Sequence, residues 1–274
     1  MNNNNLVVLF LMTFLEDDQR LITFVENYKK FNPGTDHKLV ICLKKITSEK
    51  ILDFKKILVG LDYELFIDEY EKNDFDFGSY RRVAKKYLNS VIFFMNSHSY
   101  PIKDFWLKNM YKHFDDKTII GTTGSYQSEL TNFKLWKFFK NWNLYNFFKH
   151  YFFLKKNFHR KPNPHFRSAN FMMKALDLIE FTENKTYEKK LDTWLSESGK
   201  KGMTNFFKKK NYKILVVNSD GHAFEEIDWK NSSTYNFNNQ EKLLVMDKHT
   251  KRYFSLSEFE KSKLQKKIWS FFRL

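Results

Sequence analysis

A single cysteine, Cys42, stands in 274 residues, so no disulfide can close within the chain. It lies in an apolar run that reads as a buried strand, and a reducing, cytoplasmic setting fits. Glycine (8) and proline (4) are also scarce, while lysine and asparagine abound throughout. That bias is the mark of an AT-rich genome, so the formal charge of +15 is not by itself a nucleic-acid footprint. Residues 1–5 lack a basic leader region, and the apolar stretch 6–15 is too short to span a bilayer; it reads as a first strand. The chain reads as soluble or peripherally attached. One more absence is local: residues 131–175 contain no Asp or Glu.

What is present argues for a folded protein. Hydrophobic residues make up 42% and aromatics 19%, far from a disordered composition, and the length allows one large domain with or without appendages. Residues 6–13 form a continuous apolar run, as in a strand covered on both faces. Leu21, Phe24, Val25 and Tyr28 recur at helical spacing until Asn32-Pro33-Gly34 stops them. Strands follow at 37–43 and 63–67, and between them Ser48 is placed to cap a helix carrying Ile51, Phe54 and Leu58. Tyr80, Val83, Ala84 and Tyr87 mark the next helix and residues 91–95 the next strand. This βαβαβ order predicts a mostly parallel sheet with helices on both sides. Further on come a helical stripe at Leu107, Met110, Tyr111 and Phe114, then strands at 118–122, 166–173 and 213–218. Helices fall at 189–195 and 203–210, and no internal repeat is visible. Residues 131–161, rich in aromatics and lysine, read as a helical insertion, and residues 246–274 as a basic helical appendage.

The richest chemistry sits in Asn73-Asp74-Phe75-Asp76-Phe77-Gly78-Ser79-Tyr80-Arg81-Arg82 and in Asn96-Ser97-His98-Ser99. The first opens a helix and the second ends an apolar strand, where ligands sit in open α/β sheets. Asp76, free N–H groups at the helix start, Arg81 and Arg82 are the parts that hold an anionic, diphosphate-bearing ligand. The plain alternative for Asp76 and Gly78 is ordinary capping. His98 could equally be a satisfied loop histidine, and His222, in the turn Asp220-Gly221-His222, a solvent-exposed one.

In the order of these pieces the chain resembles a GT-A type glycosyltransferase of the family-2-like and rhamnan-synthesis-like kind. Phe75-Asp76-Phe77-Gly78-Ser79-Tyr80-Arg81 resembles that family's loop-to-helix element, and Asn96-Ser97-His98-Ser99 takes the place of its D-x-D motif. Arg167-Ser168-Ala169-Asn170-Phe171 resembles the acceptor-side strand, and Glu197-Ser198 stands where the family has an E-D pair. The resemblance implies a GT-A-like domain over residues 1–245. Its nucleotide-sugar half would be 1–125 and its acceptor half 126–245. Asp76, Gly78, Tyr80, Arg81, Asn96, Ser97 and His98 would then bind the donor, Arg167 and Asn170 the acceptor, and Glu197 would be the base, with Asp192 and Glu188 as rivals. Because Asn96 and His98 are not carboxylates, two metal readings stay open. His98 with His222 could hold Mn²⁺ in place of Mg²⁺, or Arg and Lys side chains could offset the leaving diphosphate without metal.

The resemblance thus implies transfer of a sugar from a nucleotide-sugar donor to a surface glycan, of polysaccharide or lipopolysaccharide type, free or lipid-linked, at the cytoplasmic face of a membrane. The run 133–160 reads first as acceptor-side lid or core, second as a peripheral membrane contact, third as a nucleic-acid stacking surface. Two other function classes are carried along: a non-catalytic basic, aromatic-rich module that binds nucleic acid or anionic membrane, and a degenerate GT-A fold that binds a glycan without turnover.

Overall fold

The computed structural model describes residues 5–133 and 144–269. Its first third runs β1 (Asn5–Thr13), α1 (Asp18–Lys30), β2 (Lys38–Lys44), α2 (Ser48–Ile57), β3 (Glu64–Asp68), α3 (Phe75–Lys86) and β4 (Ser90–Met95). There follow β5 (Tyr100–Pro101), α4 (Trp106–Tyr111), β6 (Thr118–Gly121), β7 (Gly124–Ser125), α5 (Glu129–Asn132) and α6 (Leu144–Asn157). The remainder comprises β8 (His165–Phe166), β9 (Asn170–Lys174), α7 (Ala175–Thr182), α8 (Lys190–Ser198), α9 (Met203–Lys208), β10 (Lys213–Val217), β11 (Ala223–Phe224), β12 (Val245–Met246), α10 (Lys248–Phe254) and α11 (Glu258–Trp269). Part of the aromatic insertion, residues 134–143, and the end of the C-terminal segment, 270–274, lie outside the described residues.

Among the described residues eight strands form one sheet in the order β11-β10-β6-β9-β4-β1-β2-β3. It is a mixed α/β architecture, mostly parallel and flanked by helices. β1 pairs in parallel with both β2 and β4, and β10 with β6. β9 runs antiparallel between β4 and β6, and β11 antiparallel along β10. The strands of the second half therefore complete the sheet begun by the first. The strand order reverses at β1 and β4, which makes the space beyond their carboxyl ends the natural ligand crevice.

Burial explains why β1 and β4 are apolar without alternation. Val7, Leu9 and Leu11 face one core with Ile92 and Phe94, beneath α3 and α7. Leu6, Val8, Phe10 and Met12 face the other with Phe93 and Met95, beneath α1, α2 and α4. Each face is covered, so each residue is selected for apolarity. One cap differs from expectation: Thr47, not Ser48, precedes α2, and its hydroxyl accepts from Lys50 N at 3.4 Å. Thr47 holds the extended backbone that a cap requires, and Ser48 is already helical.

The C-terminal segment is the larger correction. It is no appendage as far as residue 269. β12 pairs antiparallel with β5, and Ile268 and Trp269 are buried in the core beneath α3. The Trp269 indole donates to Tyr235 O at 2.8 Å and meets the Tyr126 ring edge-on at 5.1 Å. α11 has lysine on its outer face, which makes it read as solvated, but its last turn ends in two apolar residues that find partners only in the fold.

Candidate functional site

A cavity of about 830 Å³ opens beyond the carboxyl end of β4, a size suited to a small-molecule ligand. Its walls come from separate parts of the chain: Asp76 and Tyr80 of α3, Asn96 after β4, Arg167 between β8 and β9, and Glu197 of α8. The C-terminal helices close it with His249 and Arg252 of α10 and Lys263 of α11.

Asp76 is half-buried at this wall, and no hydrogen bond or ion pair is found for it among the described residues. Burial pushes its carboxyl up to about 6; Glu16 adds to the rise, and Lys44 opposes it. The Tyr80 hydroxyl is buried without a hydrogen-bond partner among the described residues, and burial beside Asp76 raises it as well. Gly78 is buried, and a Cβ there would run into the Asp74 carboxylate. That carboxylate belongs to a buried network. Lys44 Nζ donates to Asp74 and to Phe75 O (2.8 Å), and Arg82 bridges Asp74 and Asp68, meeting the latter through Nε and Nη2 at 2.7 Å each. Ser79 completes the set on Asp68. Arg81 points elsewhere, donating to Thr182 O (2.8 Å) at the end of α7 and to Lys185 O (3.3 Å) beyond it. Neither guanidinium lines the cavity. Both hold α3 in place, so the anion clamp read from Arg81 and Arg82 is engaged in packing instead.

Beyond β4, the Asn96 side-chain oxygen accepts from His98 N (3.1 Å) and Ser99 Oγ (2.8 Å), a tight turn that presents Asn96 to the cavity. Ser97 is buried in that turn. His98 turns away to pair through Nε2 with Glu16 at 3.2 Å. Its pKa is lowered chiefly by burial, with Arg20 and Lys248 pushing the same way and Glu16 opposing. His222 is exposed at the turn after β10, whose Asn218 side chain accepts its backbone N–H at 3.0 Å. β10 stands three strand positions from β4, roughly 14 Å at the usual strand spacing. The two histidines proposed as metal ligands therefore sit apart, and among the described residues no group of three or more His, Cys, Asp or Glu converges on a metal position.

On the opposite wall, Glu197 occupies the last turn of α8. One carboxylate oxygen accepts from both the backbone N–H (2.8 Å) and the hydroxyl of Ser168, and no hydrogen bond is found for the other among the described residues; Glu197 lines the cavity. Of its rivals, Glu188 is exposed and Asp192 accepts from Lys189 N at 2.8 Å; neither lines the cavity. Arg167 is buried, its guanidinium on Asp247 (2.6 and 3.4 Å) and over the Tyr235 ring at 4.2 Å. Burial pushes its pKa down, but Asp247 more than reverses this and keeps it firmly charged. Asn170 is fully buried in β9, and neither side-chain atom has a hydrogen-bond partner among the described residues. It does not line the cavity.

Sequence reasoning missed His165, His249 and Asp247. His165 hydrogen-bonds Asn163 O through Nδ1 at 2.8 Å, and burial lowers its pKa, as it does that of His249. Asp247 accepts from His249 N (2.7 Å) and Thr250 N (3.1 Å). An Asp three residues before a Thr at the head of a basic helix was a readable cap signal. Nothing local marks the histidines.

No family model and no curated protein matches the sequence. Among solved structures the chain is similar to a mannosyltransferase, PcManGT from Pyrobaculum calidifontis, in complex with GDP-Man and Mn²⁺. The identity is 7%, coverage is 85% of this chain and 59% of that one, and the TM-score is 0.46. It is similar also to the galactosyltransferase LgtC with donor and acceptor sugar analogues (9% identity, 78% and 73% covered, TM-score 0.44). A third likeness is to the mannosyltransferase Ktr4p from S. cerevisiae in complex with GDP (13%, 70% and 61%, TM-score 0.37). The chain spans less than two thirds of the length of PcManGT and of Ktr4p. At these scores the likeness says nothing about chemistry, which rests on this chain's own residues.

Proposed function

We propose that the chain is a GT-A-type glycosyltransferase that moves a sugar from a nucleotide-sugar donor to a surface-glycan acceptor. The observation that carries this reading is the meeting of Asp76, Asn96, Arg167 and Glu197, far apart in sequence, on one cavity beyond the strand-order reversal. Glu197 is the base. Ser168 fixes its rotamer, and its free oxygen takes the proton of an acceptor hydroxyl. As that hydroxyl oxygen bonds to the anomeric carbon, the bond to the nucleotide diphosphate breaks and the diphosphate leaves. Asp76, Tyr80 and Asn96 form the donor wall, with Asp76 on a sugar or ribose hydroxyl. Gly78 and Arg81 support that wall by setting α3, and Ser97 and His98 by shaping the turn below Asn96. Arg167 and, behind it, Asn170 belong to the acceptor side.

A divalent cation is a natural companion of a nucleotide diphosphate. His98 and His222 do not come together to hold one, so no ligand set is assigned. Action at the cytoplasmic face of a membrane, on a lipid-linked or polymeric glycan, completes the reading. The inward commitment of His98 keeps a second reading in view, a glycan-binding fold without turnover.

The test is thermal shift of the purified protein against nucleotide diphosphates and nucleotide sugars, with and without Mn²⁺ or Mg²⁺. Stabilisation by one nucleotide class followed by measurable sugar transfer is the expected result. Glycan binding with no transfer selects the second reading, and no nucleotide binding at all overturns the transferase reading.

A further inference from the structure

Helix α6 presents a face of exposed rings and lysines among the described residues. Phe147 and Leu154 are buried, and Phe133 rests on the Phe147 and Tyr151 rings at 5.1 and 6.1 Å. Lys200 fastens the end of the helix, donating from its backbone to Asn157 O (2.7 Å) and from Nζ to Lys155 O (2.9 Å). Among the described residues these contacts seat one side of the helix. On the other, Leu144 (58%), Tyr145 (74%), Phe148 (51%) and Phe152 (59%) are exposed. Residues 144, 148 and 152 follow at four-residue steps and form one stripe. Lys155 continues the same stripe three residues on, and Lys149 and Lys156 flank it, seven residues apart. Arg160 follows, and residues 131–175 contain no acid.

Apolar rings and lysines on the same outward side do not describe a solvated face, which would carry charge alone, nor a protein-buried face, which would carry little charge. They describe a helix lying in an interface, rings among acyl chains and ammonium groups at the phosphates. The excess of positive charge selects the sign of the lipid. We infer that α6 docks the protein onto a bilayer surface rich in anionic phospholipid. The inference deepens the membrane part of the proposed function and rests on it. α5, which carries the cavity-lining Glu129, packs against α6, so docking would set the cavity beside the bilayer.

The experiment is flotation of the full chain with vesicles of phosphatidylcholine alone or with phosphatidylglycerol. The comparison takes in Phe148→Ser/Phe152→Ser and Lys149→Gln/Lys155→Gln/Lys156→Gln. The wild type is expected to float with the anionic vesicles and not with the neutral ones. At about fivefold per removed charge the triple lysine variant binds roughly 100-fold more weakly, and the double phenylalanine variant loses flotation. Both keep the wild-type melting temperature, since the altered side chains are exposed. Equal binding to both vesicle types, or full flotation of either variant, overturns the inference, as does retention of a duplex or single-stranded oligonucleotide in preference to vesicles. Nucleotide binding is measured on the same samples without lipid. Its absence from the wild type counts against the transferase reading and leaves the flotation result standing.

Discussion

Replacing Asp76 by Asn tests the electrostatics of the cavity directly. Burial moves this carboxyl from its ordinary 3.8 to about 6. Below about pH 4 both native and unfolded chains keep the proton. Between about pH 4 and 6 the unfolded chain has lost it while the native one still holds it, so stability falls as pH rises through that window. Above about 6 both are ionised and the loss is complete. At 1.36 kcal/mol per pH unit the full loss is about 3 kcal/mol at pH 7 and about 0.6 kcal/mol at pH 4. The amide has the same shape and no charge, so Asp76→Asn should recover this amount and raise Tm by roughly 6–12 °C at pH 7, with little change at pH 4. Calorimetric Tm of both proteins across pH 4–8 reads the difference. An offset that does not vary with pH, or a variant less stable than wild type at pH 7, would refute burial as the cause.

Three further outcomes are expected. Glu197→Gln should lower the rate of sugar transfer by about 10²–10⁴-fold with Tm nearly unchanged, because the amide oxygen still accepts from Ser168; an unaltered rate removes Glu197 from the base role. Gly78→Ala should displace Asp74 from Lys44 and Arg82 and cost about 3–5 kcal/mol, read from the urea midpoint, and a near-neutral result would show that α3 shifts freely. Asp247→Asn keeps a good helix cap but leaves the Arg167 guanidinium buried beside a neutral group. A loss of about 3–5 kcal/mol is expected in the same assay, and a change below 1 kcal/mol would mean the pair is solvated.

The sheet was largely legible because its strands are covered on both faces and so read as unbroken apolar runs, as in Leu6 to Met12 and Val91 to Met95. Motifs at strand ends were legible for a related reason: polarity changes abruptly there, as at Asn96. Less visible was which polar side chains are already engaged. Arg81 and Arg82 carry the same charge and neighbourhood in the sequence. Only the fold brings Asp68 and Asp74 to Arg82 and the Thr182 and Lys185 carbonyls to Arg81. The antiparallel insertion of β9 was equally hidden, since direction leaves no mark on an apolar run. The C-terminal helices were misread because Ile268 and Trp269 sit at the end of a lysine-rich stretch whose partners, Tyr126 and Tyr235, lie 34 or more residues away in sequence.

The Arg167–Asp247 pair has a consequence for synthesis. During translation β1 to β4 emerge early and can begin to pair with short-range contacts. Arg167 then follows as a charge bound for the interior, and its ion-pair partner Asp247 comes eighty residues later. Until Asp247 arrives, burying that guanidinium is unfavourable, so the cavity wall it belongs to cannot close on the nascent chain. The last helices thus act as a completion check. A chain interrupted before Asp247 would leave the Arg167 guanidinium without its ion-pair partner in the folded structure.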